Sequence, residues 1–79
     1  MYDLYLESAA ERDLKRLSPT AFQRLIEQIR SLAENPRPTG CHKIVGSRSD
    51  WRIRVGDYRV IYEIDEKAYT LKVMRVRHR

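Results

Sequence analysis

The chain has 79 residues, with 16 Lys or Arg against 11 Asp or Glu, a formal net charge of +5 and a single cysteine. That length is expected to make one domain, residues 1–79; Cys41 alone excludes both an intramolecular disulfide framework and a multi-cysteine zinc site. No apolar run approaches the roughly 20 residues needed to cross a bilayer, and Met1-Tyr2-Asp3 lacks the basic start and apolar core of a leader, so a reducing, cytoplasmic setting without a membrane is expected.

Tyr2, Leu4 and Leu6 alternate with polar neighbours and predict a short opening strand. Ser8-Ala9-Ala10-Glu11 reads as a capping box, with Ser8 as N-cap, and predicts a helix to about Leu17 with Ala10, Leu14 and Leu17 on one stripe. Ser18-Pro19 restarts the chain, Ser18 capping a second helix and Pro19 filling its first position, where a missing N–H costs nothing. Phe22, Leu25, Ile26, Ile29, Leu32 and Ala33 make one broad apolar face of that helix. Asn35-Pro36 and Pro38 end it.

His42-Lys43-Ile44-Val45 predicts an edge strand, and Gly46-Ser47-Arg48-Ser49 a turn into the most patterned stretch of the chain. Trp51, Ile53 and Val55 are apolar at period two, Gly56-Asp57 is a Gly-first turn, and Tyr58, Val60, Tyr62 and Ile64 resume the period: a β-hairpin. With Gly56 and Asp57 as its loop, Val55 lies opposite Tyr58, Ile53 opposite Val60 and Trp51 opposite Tyr62, on one buried face. The same register sets Arg54 across from Arg59 on the other face, with Arg52 opposite Ile61. Like charges facing each other on a sheet repel, so either an anion such as phosphate holds them together or they are a solvated outer face. Asp65-Glu66-Lys67-Ala68 predicts the next turn. If Ile64 pairs with Tyr69, then Tyr69, Leu71 and Val73 continue the buried face, and Lys72 and Met74 join the arginine face, Met74 opposite Arg59. Arg75-Val76-Arg77-His78-Arg79 closes the chain.

Charge is uneven: residues 1–35 hold 5 Lys or Arg against 6 Asp or Glu, and residues 36–79 hold 11 against 5. A polyanionic partner is therefore expected at the second half. The expected fold class is α+β, two N-terminal helices packed on one face of a small, mostly antiparallel sheet whose other face is free for a ligand.

Over nearly its whole length the chain resembles the RelE/ParE superfamily of toxins from bacterial and archaeal toxin–antitoxin pairs. The likeness rests on the two-helix start, the Asn35-Pro36 exit, Lys43-Ile44-Val45-Gly46, the segment from Trp51 to Tyr62 and the closing Val76-Arg77-His78-Arg79. The hairpin and tail look more like the RelE branch. That resemblance implies a ribosome-dependent endoribonuclease that cuts mRNA in the ribosomal A site by 2′-hydroxyl attack on the adjacent phosphate, without metal or cofactor, and a cognate antitoxin that holds it inactive in a hetero-oligomer.

By motif, Arg52 and Arg54 match the family's basic strand residues, Arg59 its phosphate-binding arginine and Arg79 the arginine just after the last strand. His78 is a candidate proton-transfer group, and Lys43, Arg48, Lys72, Arg75 and Arg77 are candidate RNA contacts. Well-studied RelE toxins carry lysines where this chain has Arg52 and Arg54, and the tyrosine they place a few residues beyond the Arg79 position has no counterpart here. A gyrase-inhibiting ParE-like toxin and a catalytically weak RNA- or ribosome-binding remnant are the alternatives. His42 reads as a structural or solvent-exposed side chain, Trp51 and Tyr62 as core, and Cys41-His42 as too few ligands for a metal.

Overall fold

A computed structural model describes all residues from Met1 to Arg79. The elements run β1 (Asp3–Leu6), α1 (Ser8–Lys15), α2 (Pro19–Glu34), β2 (His42–Lys43), β3 (Asp50–Val55), β4 (Tyr58–Asp65) and β5 (Thr70–His78). They form one five-stranded sheet in the order β1-β5-β4-β3-β2, in which β1 lies parallel to β5 and the other pairs are antiparallel. Both helices cover one face, so the expected α+β arrangement holds.

Ser18 caps α2 as the sequence predicts, its hydroxyl accepting from the Ala21 N–H at 3.2 Å. The first helix departs from expectation. Its N-cap is Glu7, with no side-chain cap, and Ser8 is already helical, so the predicted capping box does not form. Asp13, on this helix, reaches instead to β5, where its carboxylate accepts from Arg75 Nε at 2.9 Å and from the Val76 N–H at 2.9 Å. That contact satisfies a β5 backbone donor beyond the end of β1, where the ladder supplies no partner.

The hydrophobic core is one cluster in which Ala10, Leu14, Leu25, Ile29 and Leu32 from the helices meet Ile53, Val55, Val60, Tyr62, Ile64, Leu71, Val73 and Val76 from the sheet. Burying each large aliphatic side chain contributes roughly 1.5–3 kcal/mol. Tyr62 is fully buried, and its hydroxyl donates to the Pro36 carbonyl at 2.6 Å, tying the sheet to the loop after α2. Burial, and secondarily neighbouring Cys41, pushes that hydroxyl above the usual phenol range.

The central hairpin has the register the sequence predicts, from Val55 opposite Tyr58 to Trp51 opposite Tyr62. Gly56 takes φ +60, the left-handed value that a Gly-first turn requires. The next hairpin differs. Asp65 pairs with Thr70 and Ile64 with Leu71, so the turn runs through Tyr69 at φ +58, with the Tyr69 ring stacked on Tyr2 at 4.2 Å between centroids. Farther along, Tyr62 pairs with Val73 and Ile61 with Arg75, leaving Met74 as the extra residue of a bulge. One inserted residue reverses the facing of all that follow. Val76 thereby enters the core and His78 comes opposite Tyr58, and the bulge together with the two-residue advance at the turn brings Arg77 rather than Met74 opposite Arg59.

Candidate functional site

Three strands present arginines at one end of the uncovered sheet face. Arg54 on β3 is the cross-strand partner of Arg59 on β4, and Arg59 is in turn the partner of Arg77 on β5. One rung toward the sheet centre lies His42 on β2 opposite Arg52 on β3, with Ile61 and Arg75 continuing the row. A concavity of about 340 Å³ opens there, lined by Gly40, His42, Arg52, Ile53, Arg54 and Arg59.

None of Arg52, Arg54, Arg59, Arg77 or Arg79 is ion-paired. The three ion pairs of the molecule lie elsewhere, Arg37 with Glu66, Lys72 with Glu7 and Arg75 with Asp13. Arg59 is half-buried, and its Nε is buried without any hydrogen-bond partner. A buried charged donor left unpaired is costly unless an external acceptor completes it. Guanidinium groups converging without carboxylates have the charge and donor geometry to hold phosphate oxygens.

The remaining sequence candidates separate. Arg77 joins the arginine row. Arg79 follows two residues later, its N–H donating to the Asp57 carbonyl at 2.8 Å, which pins the chain end to the hairpin turn. Arg75 is held by Asp13, whose carboxyl is drawn below the usual range by that hydrogen bond and by the Val76 N–H. Lys72 pairs with Glu7 at 3.6 Å and sits opposite Glu63. Lys43 is opposite Trp51, on the side of the sheet that carries the helices. Arg48 lies at the other end of the sheet, beside Glu63, Asp65 and Glu66.

His78 also leaves the site. Its partner Tyr58 shares a face with Val55 and Val60's core neighbours, and the His78 ring meets the Tyr58 ring edge-on at 4.9 Å, in a second concavity with Arg24 and Leu25 of α2. The bulge at Met74 is the cause, and its trace in the sequence is the break in alternation between Val73 and Val76. His42 enters the site from the opposite direction: read as structural or solvent-exposed, it is exposed and lines the arginine concavity. The available signal was its own strand, since β2 must pair with β3 and parity then sets His42 beside an arginine. No three His, Cys, Asp or Glu side chains gather where they could hold a metal, and no helix is long and apolar enough to cross a membrane.

The two-helix, five-strand layer with its cationic, unpaired row of arginines is shared with a class of small toxins of type II toxin–antitoxin systems. Residues 4–79 match the family model described as the ParE toxin of the type II toxin–antitoxin system parDE, and the chain belongs to this family, within the RelE/ParE superfamily. Among solved structures, the RelBE2 toxin–antitoxin complex from Mycobacterium tuberculosis contains a chain 28% identical, with TM-score 0.87 over 99% of this chain and 98% of that one. A chain of the archaeal RelE–RelB complex from Pyrococcus horikoshii is 26% identical, with TM-score 0.87 over 99% and 94%. The Escherichia coli RelBE complex, 21% identical with TM-score 0.86 over 100% and 98%, shares the fold. No curated protein sequence matches the chain.

Proposed function

We propose that this toxin is a ribosome-dependent endoribonuclease that cuts mRNA in the A site and is neutralised by a cognate antitoxin. The observation that carries this reading is the buried, unpartnered Nε of Arg59 at the centre of the Arg54–Arg59–Arg77 row. Attack of a 2′-hydroxyl on the neighbouring phosphate crowds negative charge on phosphorus, and fixed cations placed there stabilise that charge more than they stabilise the ground state. Arg59 binds the scissile phosphate, Arg52 and Arg54 flank it, and Arg77 and Arg79 hold adjoining phosphates. The structures of RelE-type relatives as complexes with RelB support an antitoxin partner here. In purified ribosomes programmed with a short message, cleavage within the A-site codon that disappears in Arg59→Ala, with ribosome binding retained, supports the assignment. Uncut message with wild-type protein bound removes it.

The family match is to a ParE description, which favours one second reading, a toxin acting on gyrase. Inhibition of DNA supercoiling by the purified chain, with message intact, would select it.

A further inference from the structure

The arginine concavity contains one side chain able to exchange a proton near neutral pH. Arg52, Arg54 and Arg59 stay protonated throughout the working range, so none can accept a proton from a ribose hydroxyl. Gly40 and Ile53 have no titratable group, and no carboxylate, lysine or tyrosine lines the space. His78 is on the helix-covered side of the sheet, against Tyr58. His42 is the remaining group, and an imidazole is the side chain whose ordinary titration spans neutrality.

Its placement is built rather than incidental. His42 is the direct antiparallel partner of Arg52, so their side chains share the face and stand about 5 Å apart at Cβ. Gly40, at φ +93, and the Cys41 N–H donating to the Pro38 carbonyl at 3.0 Å bend the loop into β2. The Ile44 N–H donates to the Asp50 carbonyl at 2.9 Å and fixes the strand on its far side. The His42 side chain is exposed and makes no hydrogen bond within the protein, leaving both ring nitrogens open to a ligand in the concavity. The charged groups facing it are Arg52 and Arg54 from β3 and Arg59 from β4; Arg37, in the loop before β2, turns away to Glu66 and stacks over Trp51.

We infer that His42 is the general base of the cleavage, an assignment that rests on the endoribonuclease reading. Neutral imidazole takes the proton of the 2′-hydroxyl while that oxygen forms a bond to the adjacent phosphorus. The bond from phosphorus to the 5′-oxygen breaks, leaving a 2′,3′-cyclic phosphate. The departing 5′-oxygen takes a proton from water and becomes a hydroxyl, and the imidazolium returns its proton to solvent. Arg59 and its neighbours hold the phosphate oxygens throughout. Arginines in place of lysines at positions 52 and 54 leave the reaction short of a base, and His42 supplies it from an edge strand two residues long.

The test is single-turnover cleavage on programmed ribosomes across pH 5.5–8.5, comparing wild type, His42→Ala, His42→Gln and Arg59→Ala, with ribosome binding and circular dichroism measured for each. Wild type should cut with a rate that rises as the imidazole deprotonates. Both His42 variants should bind normally yet cut about 10²- to 10⁴-fold more slowly, without that rise. Added imidazole should restore part of the rate to His42→Ala and none to Arg59→Ala. Near-wild-type cleavage by the His42 variants while Arg59→Ala is inactive overturns the assignment and spares the endoribonuclease reading, as does loss of ribosome binding in the His42 variants. No cleavage by wild type overturns both.

Discussion

Arg59 on β4 and Arg77 on β5 are direct cross-strand partners on the sheet face that no helix covers. With Arg54 on the other side of Arg59, three guanidinium groups lie in one row across three strands. Such a row is unfavourable by itself, because adjacent like charges on a sheet repel. Polyanion binding offsets that repulsion, and strands spaced about 4.8 Å apart give the row a span of roughly 10 Å, enough for neighbouring phosphates. Arg77→Ala should therefore weaken RNA binding, lower the magnitude of its salt slope by about 1, and leave stability within about 0.5 kcal/mol of wild type. Filter binding at several salt concentrations, with thermal melts alongside, measures all three.

Replacing Arg59 by lysine keeps the charge and removes the planar fork. The buried Nε donor has no counterpart in lysine at that depth, so Arg59→Lys should bind ribosomes while losing on the order of 10²-fold in cleavage rate. A single-turnover rate near wild type would show that charge alone suffices.

Tyr62 couples the core to the loop leading into the site. Tyr62→Phe leaves the Pro36 carbonyl without its donor and should cost about 1–1.5 kcal/mol, whereas Tyr62→Ala also opens a cavity in the fully buried core and should cost about 3–5 kcal/mol. Urea titrations of the two variants separate the hydrogen bond from the packing.

Asp13 gives the fold an acid-sensitive clip. Its carboxyl is lowered in the folded state, first by the Arg75 hydrogen bond, so the stability it contributes is present in full above the unfolded carboxyl value of about 4 and is lost as pH falls through the lower folded value. Asp13→Asn should flatten the decline of melting temperature below about pH 4 relative to wild type. An unchanged decline would place the acid sensitivity in other carboxylates.

Much of this was legible in the sequence, for reasons that lie in particular residues. The Trp51–Tyr62 hairpin could be registered because strict alternation and Gly56-Asp57 specify the same pairing, and Ser18-Pro19 marks the start of α2 unambiguously. Arg52, Arg54 and Arg59 converge as that register requires. The strand after Asp65 was misplaced because the turn extends through Tyr69, so that Ile64 pairs with Leu71, and because the Met74 bulge inserts one residue. In the sequence the bulge is marked only by the break in alternation that would otherwise turn Arg75 inward and Val76 outward. The bulge transfers His78 to the helix side, and with the two residues added by the longer turn it exchanges Met74 for Arg77 opposite Arg59. Ser8 failed as a cap because Glu7 supplies the extended residue and Glu11 begins the helical hydrogen bonding by donating its N–H to the Glu7 carbonyl. Lys72 and Arg75 share the charge of the site residues and only their tertiary partners Glu7 and Asp13 distinguish them, whereas Lys43 is set apart by facing the helix side and Arg48 by lying at the other end of the sheet.

The most direct measurement of the central claim is 5′-end mapping by primer extension on a message translated by purified ribosomes, with wild-type protein and Arg59→Ala in parallel. New 5′ ends within A-site codons, present with wild type, absent without ribosomes and absent with Arg59→Ala, are the predicted result. Folded, ribosome-bound wild-type protein that leaves the message uncut would contradict it.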